Sequence, residues 1–259
     1  MTNATLRRTT ALAEANARLL MRNSLTLVYA TVLPLLPLVM LVIGPASEPE
    51  GRSAAIAWTV MAFLTAWLFP VYYNLLSMVV TRRDELVLKR LRTGAARDGE
   101  LVVGMAAPGV AIVLGVSAVI VAVGVACGLP APVNPILLLV TVLGGCAVFA
   151  ALALWTAAWT RTAESAQLTS MPVIVLAVAG TLVPVLPEGV RDYALVNPVT
   201  ALDRLVRVTW FGREGYGAGD SLSFADTWVA AGPPLLVVAV WTVLSVWLAR
   251  RWMRWEPRA

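Results

Sequence analysis

The 259-residue sequence contains no histidine. That removes a His-ligated zinc site, a Ser/His or Cys/His catalytic pair and a histidine proton relay. Only two cysteines occur, Cys127 and Cys146. The first closes one apolar tract and the second falls about three turns into the next, so at ~1.5 Å per residue they lie at different depths and read as spectator thiols. Charge is scarce: Asp, Glu, Lys and Arg make up 14% of the chain, against roughly 25% in a soluble domain. A Gly-rich loop ending in Gly-Lys-Ser/Thr is missing as well, because the single lysine, Lys89, follows Leu88. The chain has no P-loop of its own for ATP.

What the chain does have is apolar length, with 59% hydrophobic residues. No charge falls in 23–47, 53–81, 101–160, 165–187 or 227–249, and a helical crossing takes about 20 apolar residues. The 101–160 tract is interrupted at Gly128-Leu129-Pro130-Ala131-Pro132-Val133-Asn134-Pro135, where the prolines cannot continue a helix, so it divides in two. The expectation is an all-α integral membrane protein with six transmembrane helices at about 24–45, 54–80, 101–127, 135–159, 169–186 and 229–249. A signal peptide has a shorter apolar core, ~7–15 residues, so the tract from Ser24 to Gly44 reads as a permanent first span. One domain then covers 1–259: an N-terminal helix over 1–23, a bundle over 24–249 and a tail over 250–259.

An even number of spans puts both termini on one side. Fifteen of the 20 basic residues fall on that side, and only Arg52, Arg191, Arg204, Arg207 and Arg213 on the other. The positive-inside rule places both termini in the cytoplasm. The net charge of +5 is therefore a topology signal and points to no nucleic acid. The dominance of Arg over Lys, with abundant Ala, Val and Leu, hints at a GC-rich bacterial genome and so at a bacterial plasma (inner) membrane.

The spans hold no Asp, Glu, Lys or Arg, the groups on which ion-coupled pumps usually rely. Sodium can be coordinated by carbonyls and hydroxyls alone, so an ion-coupled secondary transporter or channel is demoted and stays open. No catalytic residue and no metal ligand set stands out. Uphill movement would take its energy from a partner, and the cytoplasmic surface is where that partner would dock.

Three segments outside the spans are amphipathic. In Thr81–Gly94, Val87, Leu88 and Leu91 share one arc while Arg82, Glu85, Lys89 and Arg92 share another. Glu85 and Lys89 stand in the favourable order for a helical pair, and Gly94 is placed to end the helix. A merely solvated, topology-setting loop is the other reading. In the leader, Glu14, Arg18 and Arg22 recur every four residues opposite Leu12, Leu19 and Leu20, as in a helix lying on anionic membrane lipids. Beyond the fifth span, Asn197-Pro198 offers an N-cap followed by proline at the first helical position. Leu202, Leu205, Val206 and Thr209 then face one way, and Asp203, Arg204 and Arg207 the other. This extracellular helical segment is expected to pack on the outer membrane face.

Polar side chains inside apolar spans are the candidates for a substrate pathway: Tyr72, Tyr73, Asn74 and Ser77 near the cytoplasmic end of span two, with Gln167, Thr169 and Ser170 near that of span five. Interhelical hydrogen bonding is the competing role for each. A path with so few polar points suits a hydrophobic or amphiphilic cargo.

The leader, the stretch Arg82-Arg83-Asp84-Glu85-Leu86-Val87-Leu88-Lys89-Arg90-Leu91-Arg92-Thr93-Gly94 running on to Gly104 and Pro108, and Asn197-Pro198-Val199-Thr200-Ala201-Leu202-Asp203-Arg204 together resemble the ABC-2 type permease family over essentially the whole chain. The resemblance implies the permease subunit of an ATP-binding cassette exporter for an antibiotic, drug or lipid. Such a subunit is no enzyme itself and holds no cofactor, since ATP and Mg belong to a separate nucleotide-binding subunit. A second permease copy, as homodimer or heterodimer, completes the complex. The resemblance makes 82–94 the coupling helix, with Arg82, Arg83, Glu85, Val87, Leu88, Lys89, Leu91 and Arg92 facing the ATPase, and makes the leader the connecting helix. Ala95-Ala96 stands where that family often has a proline-containing turn. A non-transporting membrane anchor or regulator of an ATPase is a further alternative.

Overall fold

The computed structural model describes residues 3–44, 49–93, 97–162, 164–216, 221–253 and 255. Within a bilayer every backbone N–H and C=O must be paired inside the protein, which favours helices wherever the chain is apolar. The described residues form no strand. The leader is α1 (Asn3–Arg22), followed by α2 (Ser24–Ile43), which tightens at Leu33–Leu35 around Pro34. Next come α3 (Arg52–Asp84), α4 (Val87–Thr93), α5 (Asp98–Ala126) and α6 (Pro135–Trp159). Then follow α7 (Ala166–Thr181), α8 (Glu188–Ala194), α9 (Pro198–Phe211), α10 (Phe224–Ala230) and α11 (Gly232–Trp252).

Five of these, α2, α3, α5, α6 and α11, are long and apolar enough to cross a membrane. The expected fifth span at 169–186 is the shorter α7, continued by a turn of 3-10 helix at Val183–Val185. Helices α3 and α6 form the centre: 61% of the apolar window of each is buried, against 22% for α2 and α11 at the rim. Glycine lets the central pair approach. The Trp67 indole lies over Gly145, where a Cβ would be 2.2 Å from the ring, and its Nε1 donates to the Val142 carbonyl at 3.1 Å. Proline shapes α3: around Pro70, which has no N–H to give, residues Leu68–Tyr73 widen into a π-helical turn. The Pro70 carbonyl then sits against Gly109 of α5, so closely that a Cβ there would meet it at 2.2 Å.

Helix α9 begins as its sequence requires. The Asn197 side chain accepts from the Val199 N–H at 2.8 Å, and Gly212, with φ 62°, ends the helix. Expected to pack on the outer membrane face, α9 has α6, α7 and α11 packed around it in the structure. Asp203 and Arg207 are buried together with Leu202, Leu205 and Val206. The charges are tolerated because they pair: Arg207 Nε lies 3.0 and 3.1 Å from the two Asp203 carboxylate oxygens. Burial raises the Asp203 carboxyl above its ordinary range, and the Arg207 guanidinium pulls it back.

The bundle has two distinct ends. One carries α1, α4 and the last turn of α11, and the other carries α9 and the proline-rich 128–135 loop. Trp210 holds that loop by donating from Nε1 to the Pro130 carbonyl at 2.8 Å. Gly94, Ala95-Ala96, Arg254 and 256–259 lie outside the described residues, as does the side chain of Arg92.

Candidate functional site

At the α4 end, the expected single helix over 82–94 is two segments. Helix α3 runs through Asp84, the chain turns at Glu85-Leu86, and α4 starts at Val87. Leu86 takes φ 60°, a left-handed conformation costly for a residue with a Cβ and one that no continuous right-handed helix contains. Arg83 anchors the end of α3 just before the break. Its side chain is fully buried and donates Nη1 to the Ala157 carbonyl at 3.0 Å, and Nη2 to the carbonyls of Thr160 (2.5 Å) and Arg161 (3.1 Å). The last carbonyls of α6 have no helical partner of their own, and a cation at a helix C-terminus is favourable there. Arg83 is therefore an internal strut, and its expected place on an ATPase-facing surface is corrected. Leu88 is buried and Val87 and Leu91 are half-buried, which roots α4 on the bundle. Glu85, Lys89 and Arg90 are exposed and Arg82 is half-exposed. With Glu85 in the turn, it and Lys89 do not share one helix.

Beside α4 a groove of about 770 Å³ opens between α2, α3 and the start of α7. Tyr73, Asn74, Ser77 and Gln167 line it, with Arg82 and Glu85 at the α4 side. The other three pathway candidates do not line this groove: Tyr72 and Ser170 are buried and Thr169 is half-buried. The Tyr72 hydroxyl is buried 3.1 Å from Thr156 Oγ1. Thr169 Oγ1 lies 2.7 Å from Thr160 Oγ1, and buried Ser170 donates to the Gln167 carbonyl at 2.7 Å. These hydroxyls make hydrogen bonds between and within helices. The groove also takes in Asn23, Thr26 and Tyr29, which were not nominated from the sequence. A signal was available for Asn23 alone: Asn is a favoured N-cap, and Asn23 caps α2 by accepting from the Thr26 backbone N–H at 3.1 Å.

Helix α1 presents Glu14, Arg18 and Arg22 outward, with Glu14 and Arg18 paired at 2.5 Å on the surface. Its other side docks on α5 instead of only lying along a membrane. Pro108 has no N–H to give the Gly104 carbonyl four residues earlier, and Asn16 of α1 replaces it, donating from Nδ2 at 2.7 Å. Leu12 packs so closely on Gly104 that a Cβ there would lie 2.7 Å from its own. Leu20 is buried, but Leu19, expected on the same apolar face, is exposed and borders the groove.

The sequence model of the family described as ABC-2 type transporter matches residues 7–211, from the first turns of α1 to the last residue of α9. The chain belongs to this family. Comparison with curated proteins finds no match. As an ABC-2 type protein it is a multi-pass membrane permease component, and permeases of this family normally pair with an ABC ATPase subunit. The match spans every feature described at the α4 end: the Asn16–Gly104 dock, the Arg83 strut, α4 and the groove.

Proposed function

We infer that the chain is the permease subunit of an ATP-driven exporter, moving a hydrophobic or amphiphilic compound such as an antibiotic, drug or lipid out of a bacterial cell. The observation that carries this reading is the family match over residues 7–211 in a chain with no P-loop. ATP and Mg bind on a separate ATPase subunit. That subunit docks on exposed Glu85, Lys89 and Arg90 around α4, beside the connecting helix α1.

Six crossings and cytoplasmic termini complete the topology. At ~1.5 Å per residue α7 alone falls short of a ~30 Å hydrocarbon core. Its 3-10 extension at Val183–Val185 supplies most of the remainder. A second permease copy faces the groove, so the cargo path runs between two chains along α2, α3 and α7. Support comes from the exposed apolar residues there, including Leu25, Val32 and Val39 of α2 and Val175 and Val178 of α7. Closure of the ATPase pair pushes α4. Because α4 is rooted through Leu88 and α3 is pinned by Arg83, that push moves α3 and α6 together.

The test is reconstitution with an ABC ATPase subunit that co-purifies with the chain, measuring hydrolysis and cargo movement in proteoliposomes. Charge reversal at Glu85 and, separately, at Lys89 should weaken ATPase association or uncouple hydrolysis from transport. Unimpaired transport in both variants would remove the assignment of α4 as the coupling element.

A further inference from the structure

At the end of the bundle opposite α4, a cavity of about 210 Å³ lies between α3, α9 and the end of α7. Trp58 and Met61 of α3, with Thr181 and Pro184, form a largely apolar wall, and Asp203 and Arg207 of α9 close it. We propose that this cavity binds the anionic headgroup, phosphate or carboxylate, of an amphiphile through the terminal nitrogens of Arg207. The site rests on the exporter reading for its place at the outward mouth, and it deepens that reading by naming the charge class of the ligand.

The argument starts from how Arg207 is held. Only 8% of the residue is exposed. Its Nε is taken by both oxygens of Asp203, and one face of the guanidinium is covered by the Tyr216 ring, 4.7 Å from Cζ. The Nη edge is what remains: among the described residues only the Arg207 Nε makes a side-chain hydrogen bond, and the residue lines the cavity. Donors that open into the cavity can exchange water for an anion, and a charge-assisted hydrogen bond is the stronger of the two. The same edge is a planar fork matched to carboxylate and phosphate. Asp203 is already committed to Arg207, and the neighbouring Arg204 adds a second positive charge to its surroundings. The cavity therefore favours an anion over a cation. Its volume is below the ~300–1,000 Å³ usual for a whole drug-sized ligand, so it admits a headgroup and the first methylenes. The wall of Trp58, Met61 and Pro184 suits those methylenes and gives a chain-bearing anion the advantage over a free one.

The full chain in phosphatidylcholine nanodiscs, without any ATPase, is titrated calorimetrically with dodecyl phosphate and with dodecyltrimethylammonium. Saturable binding of the phosphate and none of the ammonium is expected, a comparison that needs no variant. Arg207→Lys keeps a cation beside Asp203 but loses the fork, and should weaken dodecyl phosphate by about tenfold. Trp58→Ala should weaken it as well. Equal binding of the two amphiphiles, or unchanged binding in Arg207→Lys, overturns the proposal. Inorganic phosphate separates the sources: failure to displace the amphiphile supports a chain-bearing ligand, and displacement at equal affinity overturns that part. Since no ATPase is present, intact binding with no ATP-driven export would count against the exporter reading and leave this site standing.

Discussion

Replacing Arg83 with methionine keeps an unbranched, apolar stem in place and removes the guanidinium. Three α6-end carbonyls lose their donor: Ala157, Thr160 and Arg161. Residue Arg161 is exposed, so its carbonyl can turn to water. The other two lie in buried residues. At about 1–3 kcal/mol for each unsatisfied group, their gross cost is about 4 kcal/mol. Relief from burying the charge offsets part of this and leaves a net loss of about 2 kcal/mol. For a chain of this size that lowers the melting temperature by about 4–8 °C. The assay is loss of the monodisperse size-exclusion peak after heating in detergent, run beside a measurement of affinity for the partner ATPase. Because Arg83 reaches no surface, ATPase affinity well below the melting point should stay within about twofold of wild type. Arg83→Lys should fall between the two, since a point charge cannot span carbonyls that the fork reaches together. A wild-type melting temperature for Arg83→Met, or lost ATPase binding without lost stability, would refute the account of Arg83 as an internal strut.

In Gly145→Ala the new methyl lands 2.2 Å from a Trp67 ring that is stacked near Phe63 and Phe149; a loss near the top of the usual ~1–3 kcal/mol for overpacking should appear as a lowered melting temperature, partly recovered by adding Trp67→Phe. Asn16→Leu leaves the Gly104 carbonyl without its donor, so hydrogen exchange along α1 should accelerate by about tenfold or more, and unchanged exchange would show that the hydrogen bond does not hold α1. Asn74→Ala and Gln167→Ala line the groove, so they should change the apparent affinity for an amphiphilic cargo while leaving the melting temperature in place; selective export of a small charged solute, unaffected by either, would contradict the groove as a cargo path.

The all-helical character, five of the long apolar helices and the family could be read from the sequence, the helices because charge-free length is a local property. Charge-free length fixes a helix in lipid regardless of its neighbours. An Asn-Pro step starts α9 by its own hydrogen bond and fixed φ. What each polar side chain does could not be read the same way. Arg82 and Arg83 are adjacent and chemically alike, yet one borders the groove and the other is locked into α6 74 to 78 residues away. Tyr72 and Tyr73 divide similarly, the first onto Thr156 and the second into the groove. Amphipathic periodicity placed Asp203 and Arg207 on the side opposite Leu202, Leu205 and Val206, because a period of 3.6 reports only which residues share a side. It carries no information about what lies opposite that side. For α9 the opposite side is protein, so the two charges pair with each other under the Tyr216 ring. The sequence by itself determined which segments are long and apolar enough to form membrane-crossing helices. Only the tertiary structure decided which polar groups are spent on the fold and which are left to face a ligand or partner, since that depends on contacts between helices far apart in the chain.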